Sequence, residues 1–302
     1  MKKIVFILLF LISGFVYAQE NHSMYWLYAK NLGYSDDNHI GKEGIVGVKN
    51  CYVRDLPSTS GKLVDSLQLG KKVMVNTLTT TMQKIKGISM NWVEIQYKSG
   101  NVTKKGYLWL GFLAIDFKET EALTFMTVLE RINARKDEED AFSSEFVLAA
   151  KVLDKSNVLL DSKEIRKNIT ESYYYRQELM GNFGLQNIES LYRISFTGEA
   201  CGIPTYFFYF GWTGKKLLVL PEKTAVSDAG VYYYSENFIF PNEPGGKPGY
   251  IYKVIETGTQ PESDNEDDSE MEEEVWKETY TWDGEKATFI KKNLLRKGLI
   301  KQ

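Results

Sequence analysis

The sequence predicts a mainly β chain, with a small barrel near its N-terminal end followed by a larger β-rich domain. Three observations carry that expectation. From residue 45 onward, apolar runs of four to eight residues alternate with Gly, Asn and Ser punctuation, the pattern of short strands joined by tight turns. Asn91-Trp92-Val93-Glu94-Ile95-Gln96-Tyr97 alternates with period two, which sends successive side chains to opposite faces of a strand. Tyr209-Phe210-Gly211-Trp212-Thr213-Gly214-Lys215-Lys216 and Tyr280-Thr281-Trp282-Asp283-Gly284-Glu285-Lys286 echo each other. Each places β-formers beside a Gly that accepts positive φ, as a hairpin tip requires.

The first residues concern compartment and not fold. Met1-Lys2-Lys3, an apolar run from Ile4 to Val16, and Val16-Tyr17-Ala18 before Gln19 have the layout of a secretory signal over 1–18. The run is shorter than the roughly 20 residues a membrane-spanning helix needs, and no Cys stands at the cut to take a lipid. The expectation is a periplasmic or secreted protein with no transmembrane anchor after signal cleavage. Cleavage after Ala18 leaves 284 of 302 residues, enough for two modest cores.

Without Lys2 and Lys3 the net charge of −3 becomes −5, and because residues 261–274 alone carry nine acids and no base, the remainder of the mature chain is +4. Acidity is therefore local, and 261–274 is expected to be a disordered, solvated loop. Asp264, Glu266 and Asp268 alternate as in a calcium loop, but the turn Gly is missing. The absence of a basic cluster excludes nucleic acid as a partner. Cys51 and Cys201 are the only cysteines; two unpaired thiols are favoured over a bridge, since free Cys is commonly a small buried residue.

In chain order, residues 19–44 form an N-terminal segment in which Tyr25-Trp26-Leu27-Tyr28-Ala29 reads as an edge strand and Ser35–His39 as a loop. Ile45–Tyr52 opens the barrel, and Leu63–Val75 reads as two strands around Gly70.

Val53-Arg54 followed by Pro57-Ser58, then Leu67-Gln68-Leu69-Gly70 with Val73-Met74-Val75, then Trp92-Val93-Glu94-Ile95, and last Gly106-Tyr107-Leu108 with Phe112-Leu113 stand in one order. Residues 45–115 thereby resemble a bacterial SH3-type (SH3b) domain. The chain departs from that pattern at Tyr52, where Asn is common, at Leu56, where Gly is common, and at Tyr107, where Trp is usual. Residues 78–91 are a longer insertion than the shortest family members carry. The resemblance implies a barrel that binds and does not catalyse, with peptidoglycan or a peptide or protein segment of the envelope as partner. Tyr52, Trp92, Tyr107 and Trp109 are the candidate ligand face, with Asp55 as polar anchor; packing within the barrel is the other place for Trp92 and Tyr107.

Residues 117–302 resemble no family we recognise. Phe146–Asp154 and Val158–Asp161 flank Lys155-Ser156-Asn157 as a hairpin would, although Ala149-Ala150 would also suit a helix. Ile251–Ile255 and Val275–Trp282 read as strands on either side of the acidic run.

His22 and His39 are the only histidines, and both precede the barrel. Cys201 therefore has no base downstream to deprotonate it, and a His-based zinc site lacks its ligands. Neither a metal nor another cofactor is expected. The sequence thus reads as an exported, non-enzymatic binding protein of the bacterial envelope. The alternative is a cell-wall or polysaccharide hydrolase using carboxylates in 117–302, with Asp228 and Glu236, which flank Tyr232–Tyr234, as the pair to inspect.

Overall fold

A computed structural model describes residues 23–33, 38–133, 144–172, 174–198, 200–261 and 270–301. The expected signal segment 1–18 and residues 262–269 of the acidic run lie outside these. No helix among the described residues is long and apolar enough to cross a membrane.

Tyr25–Ala29 is not the edge strand expected. Trp26–Leu32 forms a helix, α1, and buries Leu27, Tyr28 and Leu32. A strand would send Leu27 and Tyr28 to opposite faces, whereas a helix turns both into the core. Its position is fixed from far along the chain: Met24 N–H bonds the Ser89 carbonyl at 2.9 Å, and the Tyr28 hydroxyl donates to the Leu113 carbonyl at 3.2 Å.

Six antiparallel strands follow: β1 (His39–Ile45), β2 (Asn50–Arg54), β3 (Leu63–Gln68), β4 (Lys72–Ile85), β5 (Ile88–Ser99) and β6 (Val102–Trp109), in the order β1-β4-β5-β6-β2-β3. The edge strands β1 and β3 share no ladder, so backbone pairing does not close this sheet into a complete barrel. Contacts outside the ladder tie its ends instead. Gly70 N–H bonds the Val46 carbonyl at 2.8 Å, and Val46 forms a lone bridge with Leu113.

A second sheet holds β7 (Asp116–Glu119), β8 (Leu123–Asn133), β9 (Glu145–Asp154) and β10 (Leu159–Lys167) in the order β10-β9-β8-β7. Phe146–Leu153 is buried without interruption, the signature of a strand covered on both faces. That burial explains why Ala149-Ala150 imitates a helix in sequence. Lys151 sits inside this run with its ammonium satisfied by the Gly47 carbonyl at 2.9 Å and by Glu130 at 2.5 Å.

The third sheet has nine strands: β11 (Tyr174–Met180), β12 (Ser190–Thr197), β13 (Thr205–Trp212), β14 (Leu217–Val219), β15 (Lys223–Asp228), β16 (Tyr232–Ile239), β17 (Tyr250–Thr259), β18 (Glu270–Trp282) and β19 (Ala287–Lys301). Their order is β11-β12-β13-β15-β16-β17-β18-β19, with β14 paired to β13. Both expected hairpin tips are present, with Gly214 and Gly284 at φ of 83° and 91°. The disordered loop expected over 261–274 needs correction at its C-terminal end. Glu270–Glu274 belongs to β18, because β19 brings cations against it: Lys297 lies 2.7 Å from Glu274, and Arg296 pairs with Glu273.

The architecture is therefore mainly β throughout. One hydrophobic cluster runs through all three sheets, from Val53, Trp92 and Trp109 through Phe125 and Phe146 to Tyr192, Phe210 and Trp212. Phe125 is its hinge point, 5.5 Å from the Tyr192 ring and 6.1 Å from the Trp212 ring between centroids.

Candidate functional site

The five residues expected to form a ligand face are not gathered on one open surface. Tyr52 is 43% exposed. Asp55 is exposed but committed to its own loop, accepting Lys62 N–H at 2.7 Å. Tyr107 is half-buried and pairs with Arg54 and Glu94. Trp92 and Trp109 are each 1% exposed, so neither presents a stacking surface, which corrects that part of the expectation. They are direct partners across β5 and β6. The hairpin extension within 78–91 caps them: the Trp92 indole N–H donates to Gln83 Oε1 at 3.1 Å, and that of Trp109 to the Gln83 carbonyl at 3.0 Å. Of these five residues, Tyr52, Asp55 and Tyr107 keep accessible surface.

A different site lies where α1 meets the first strands of the long sheet. Register puts Tyr174 opposite Thr197, Arg176 opposite Ser195 and Glu178 opposite Arg193, with Ser195 in turn opposite Phe207 on β13. Period-two alternation brings these side chains to one face of β11, β12 and β13. α1 stands over the edge of that face and contributes Trp26 and Lys30. Between them is a cleft of about 870 Å³, within the roughly 300–1,000 Å³ range of small-molecule sites.

The cleft carries an excess of positive charge. Arg193 is neutralised by Glu178 at 2.6 Å and lies 5.7 Å from the centre of the Phe207 ring. Lys223 Nζ sits 4.5 Å from the centre of the same ring. Neither Lys30 nor Arg176 makes an ion pair among the described residues. Burial, and then the nearby charge of Arg176, hold the Lys30 ammonium below its ordinary pKa. Trp26, Tyr174 and Phe207 supply aromatic surface, and Ser195, Thr197 and Thr205 supply hydroxyls. Chemically, this is a place for an anion attached to something with ring faces and hydrogen-bonding groups.

The carboxylates considered for hydrolysis do not converge. Thr224 N–H bonds Glu236 at 2.7 Å, four residues from Asp228 along β15. At about 3.3 Å per residue that separates the two acids by roughly 13 Å, beyond the roughly 5–9.5 Å at which paired glycosidase carboxylates work. Glu236 is also occupied by Lys253 and by the Tyr234 hydroxyl. Among the described residues, no group of three His, Cys, Asp or Glu side chains could hold a metal ion.

Sequence reasoning did not find Lys30, Arg176 or Arg193. The signal available was the polar alternation Tyr174-x-Arg176-x-Glu178 and Arg193-x-Ser195-x-Thr197, which on its own is indistinguishable from a solvent-facing strand. Comparison of the chain with protein-family models, with curated proteins and with solved structures returns no match.

Proposed function

We propose that the protein is an exported, non-enzymatic binding protein of the bacterial envelope that recognises peptidoglycan through the cleft between α1 and β11–β13. The observation that carries this reading is a pair of cations, Lys30 and Arg176, that make no ion pair among the described residues and stand beside Trp26 and Tyr174 in that cleft. Peptidoglycan offers what such a site can use, namely carboxylates for the cations and sugar rings for the aromatic surface. The signal-like 1–18 segment supports export, and the SH3b resemblance of 45–115 supports an envelope setting. With Trp92 and Trp109 in the core, a second contact from the first sheet would rest on Tyr52, Asp55 and Tyr107.

The test uses residues 19–302 incubated with labelled, purified sacculi. The protein is expected to sediment with the sacculi and to release no labelled fragments. Protein remaining in the supernatant would remove the wall-binding reading, and released fragments would replace it with hydrolysis.

A further inference from the structure

We infer that the cleft takes a carboxylate-bearing glycan, with one carboxylate held between Lys30 and Arg176 and neighbouring sugar rings against Trp26 and Tyr174. This rests on the cleft being the binding site proposed above, and it names the chemistry that the site selects.

The argument begins with charge. Arg193 already has its counter-ion in Glu178, so it shapes the floor without calling for a ligand. Lys30 and Arg176 are close enough for the Arg176 charge to lower the Lys30 pKa; Asp116 and Glu178 oppose that effect from farther away, and no carboxylate stands within ion-pair distance of either cation among the described residues. Two like charges set on rigid elements repel each other, and an anion between them converts that repulsion into attraction. The Arg fork matches the two oxygens of a carboxylate, and the Lys ammonium adds a point charge.

Size supplies the second half. A cleft of about 870 Å³ is far larger than a lone carboxylate or phosphate, so the anion must belong to a larger ligand. The rest of the surface is aromatic and hydroxylated: Trp26 and Tyr174 stand beside the cations, and Ser195 and Thr197 on β12 lie directly across from Arg176 and Tyr174 on β11. Flat apolar faces flanked by hydroxyl donors and acceptors suit sugar rings and their substituents.

The experiment is a calorimetric titration of residues 19–302 with trigalacturonate, with chitotriose as neutral trisaccharide and with glucose-6-phosphate as phosphorylated sugar. Trigalacturonate is expected to bind at least about tenfold more tightly than either, and Lys30→Ala with Arg176→Ala to remove at least about tenfold of that affinity, the scale of one lost charged hydrogen bond. Arg176→Lys should retain part of it. Lys30 and Arg176 are exposed, so the double variant keeps its fold, which circular dichroism checks. Equal affinity for chitotriose, tighter binding of glucose-6-phosphate, or a double variant that binds as the parent does would overturn the inference. Protein that sediments with sacculi yet ignores trigalacturonate overturns the ligand chemistry and leaves wall binding standing. Protein that binds trigalacturonate through Lys30 and Arg176 but does not sediment keeps the cleft and overturns the wall-binding reading.

Discussion

Trp92 and Trp109 face each other across β5 and β6, and the indole N–H of each ends on Gln83. Gln83 also reaches the 55–61 loop, its Nε2 donating to Thr59 Oγ1 at 2.7 Å. One residue therefore closes the tryptophan face, with its side chain on Trp92 and its main-chain carbonyl on Trp109, and anchors the loop beside it. Gln83→Leu leaves the buried Trp92 N–H without its acceptor, and the expected destabilisation is about 1–3 kcal/mol. Urea unfolding followed by tryptophan fluorescence measures it. An unchanged midpoint would mean that the N–H finds another acceptor.

Lys253 lies between two carboxylates, 2.9 Å from Glu236 and 3.3 Å from Glu278, with all three side chains largely buried. Tyr234 and Tyr280 donate to the same two acids, at 2.6 Å and 2.5 Å. Lys253→Met leaves both acids without their cation, at an expected loss of about 3–5 kcal/mol. Lys297→Met, at the more exposed pair with Glu274, is expected to leave the thermal midpoint nearly unmoved. Equal shifts for the two variants would contradict this account of the network.

Asp65 gives a pH-dependent prediction. Its carboxyl accepts from Lys104 at 2.8 Å, from Ser66 N–H at 2.9 Å and from the Tyr97 hydroxyl at 3.0 Å. The Lys104 bond first, and then the Ser66 N–H, hold its pKa below the ordinary carboxylate value. A depressed folded-state pKa stabilises above the unfolded value of about 3.9 and is lost as pH falls through the folded value. Asp65→Asn should therefore lower stability at pH 7 by about 0.5–1 kcal/mol, a solvent-screened magnitude. The gap between the two proteins should close below about pH 4. Denaturation series at several pH values would show it; a gap that widens on acidification would reverse the sign argued here.

The two thiols should differ sharply in reactivity. Cys51 is fully buried, and burial pushes its pKa up to about 12, whereas Cys201 is exposed and both are unpaired. Native protein treated with an aromatic disulfide reagent should release one equivalent, with the second appearing only on unfolding. Two fast equivalents would show that Cys51 is accessible, and none would show a bridge.

Much of the fold was legible because local rules and tertiary context agree. The tips at Gly214 and Gly284 need positive φ, and both have it. β17 and β18 contain the runs Ile251–Ile255 and Val275–Trp282 that read as strands in sequence. α1 was not legible from Tyr25–Ala29, which is too short to show a helical period; its place is set by carbonyls at Ser89 and Leu113. Trp92 and Trp109 were legible as candidates for one face, but whether that face is open depends on where Gln83 folds. The cleft was hidden for a similar reason. Arg176 looks like any outward residue of a strand until α1, from the other end of the chain, stands beside it.

The most direct test of the central claim compares residues 19–302 with the Lys30→Ala, Arg176→Ala double variant for sedimentation with purified sacculi at physiological salt. Binding through the cleft predicts that the parent sediments and that the variant, equally folded, binds at least about tenfold more weakly. Equal sedimentation of the two proteins, or none by either, would contradict it.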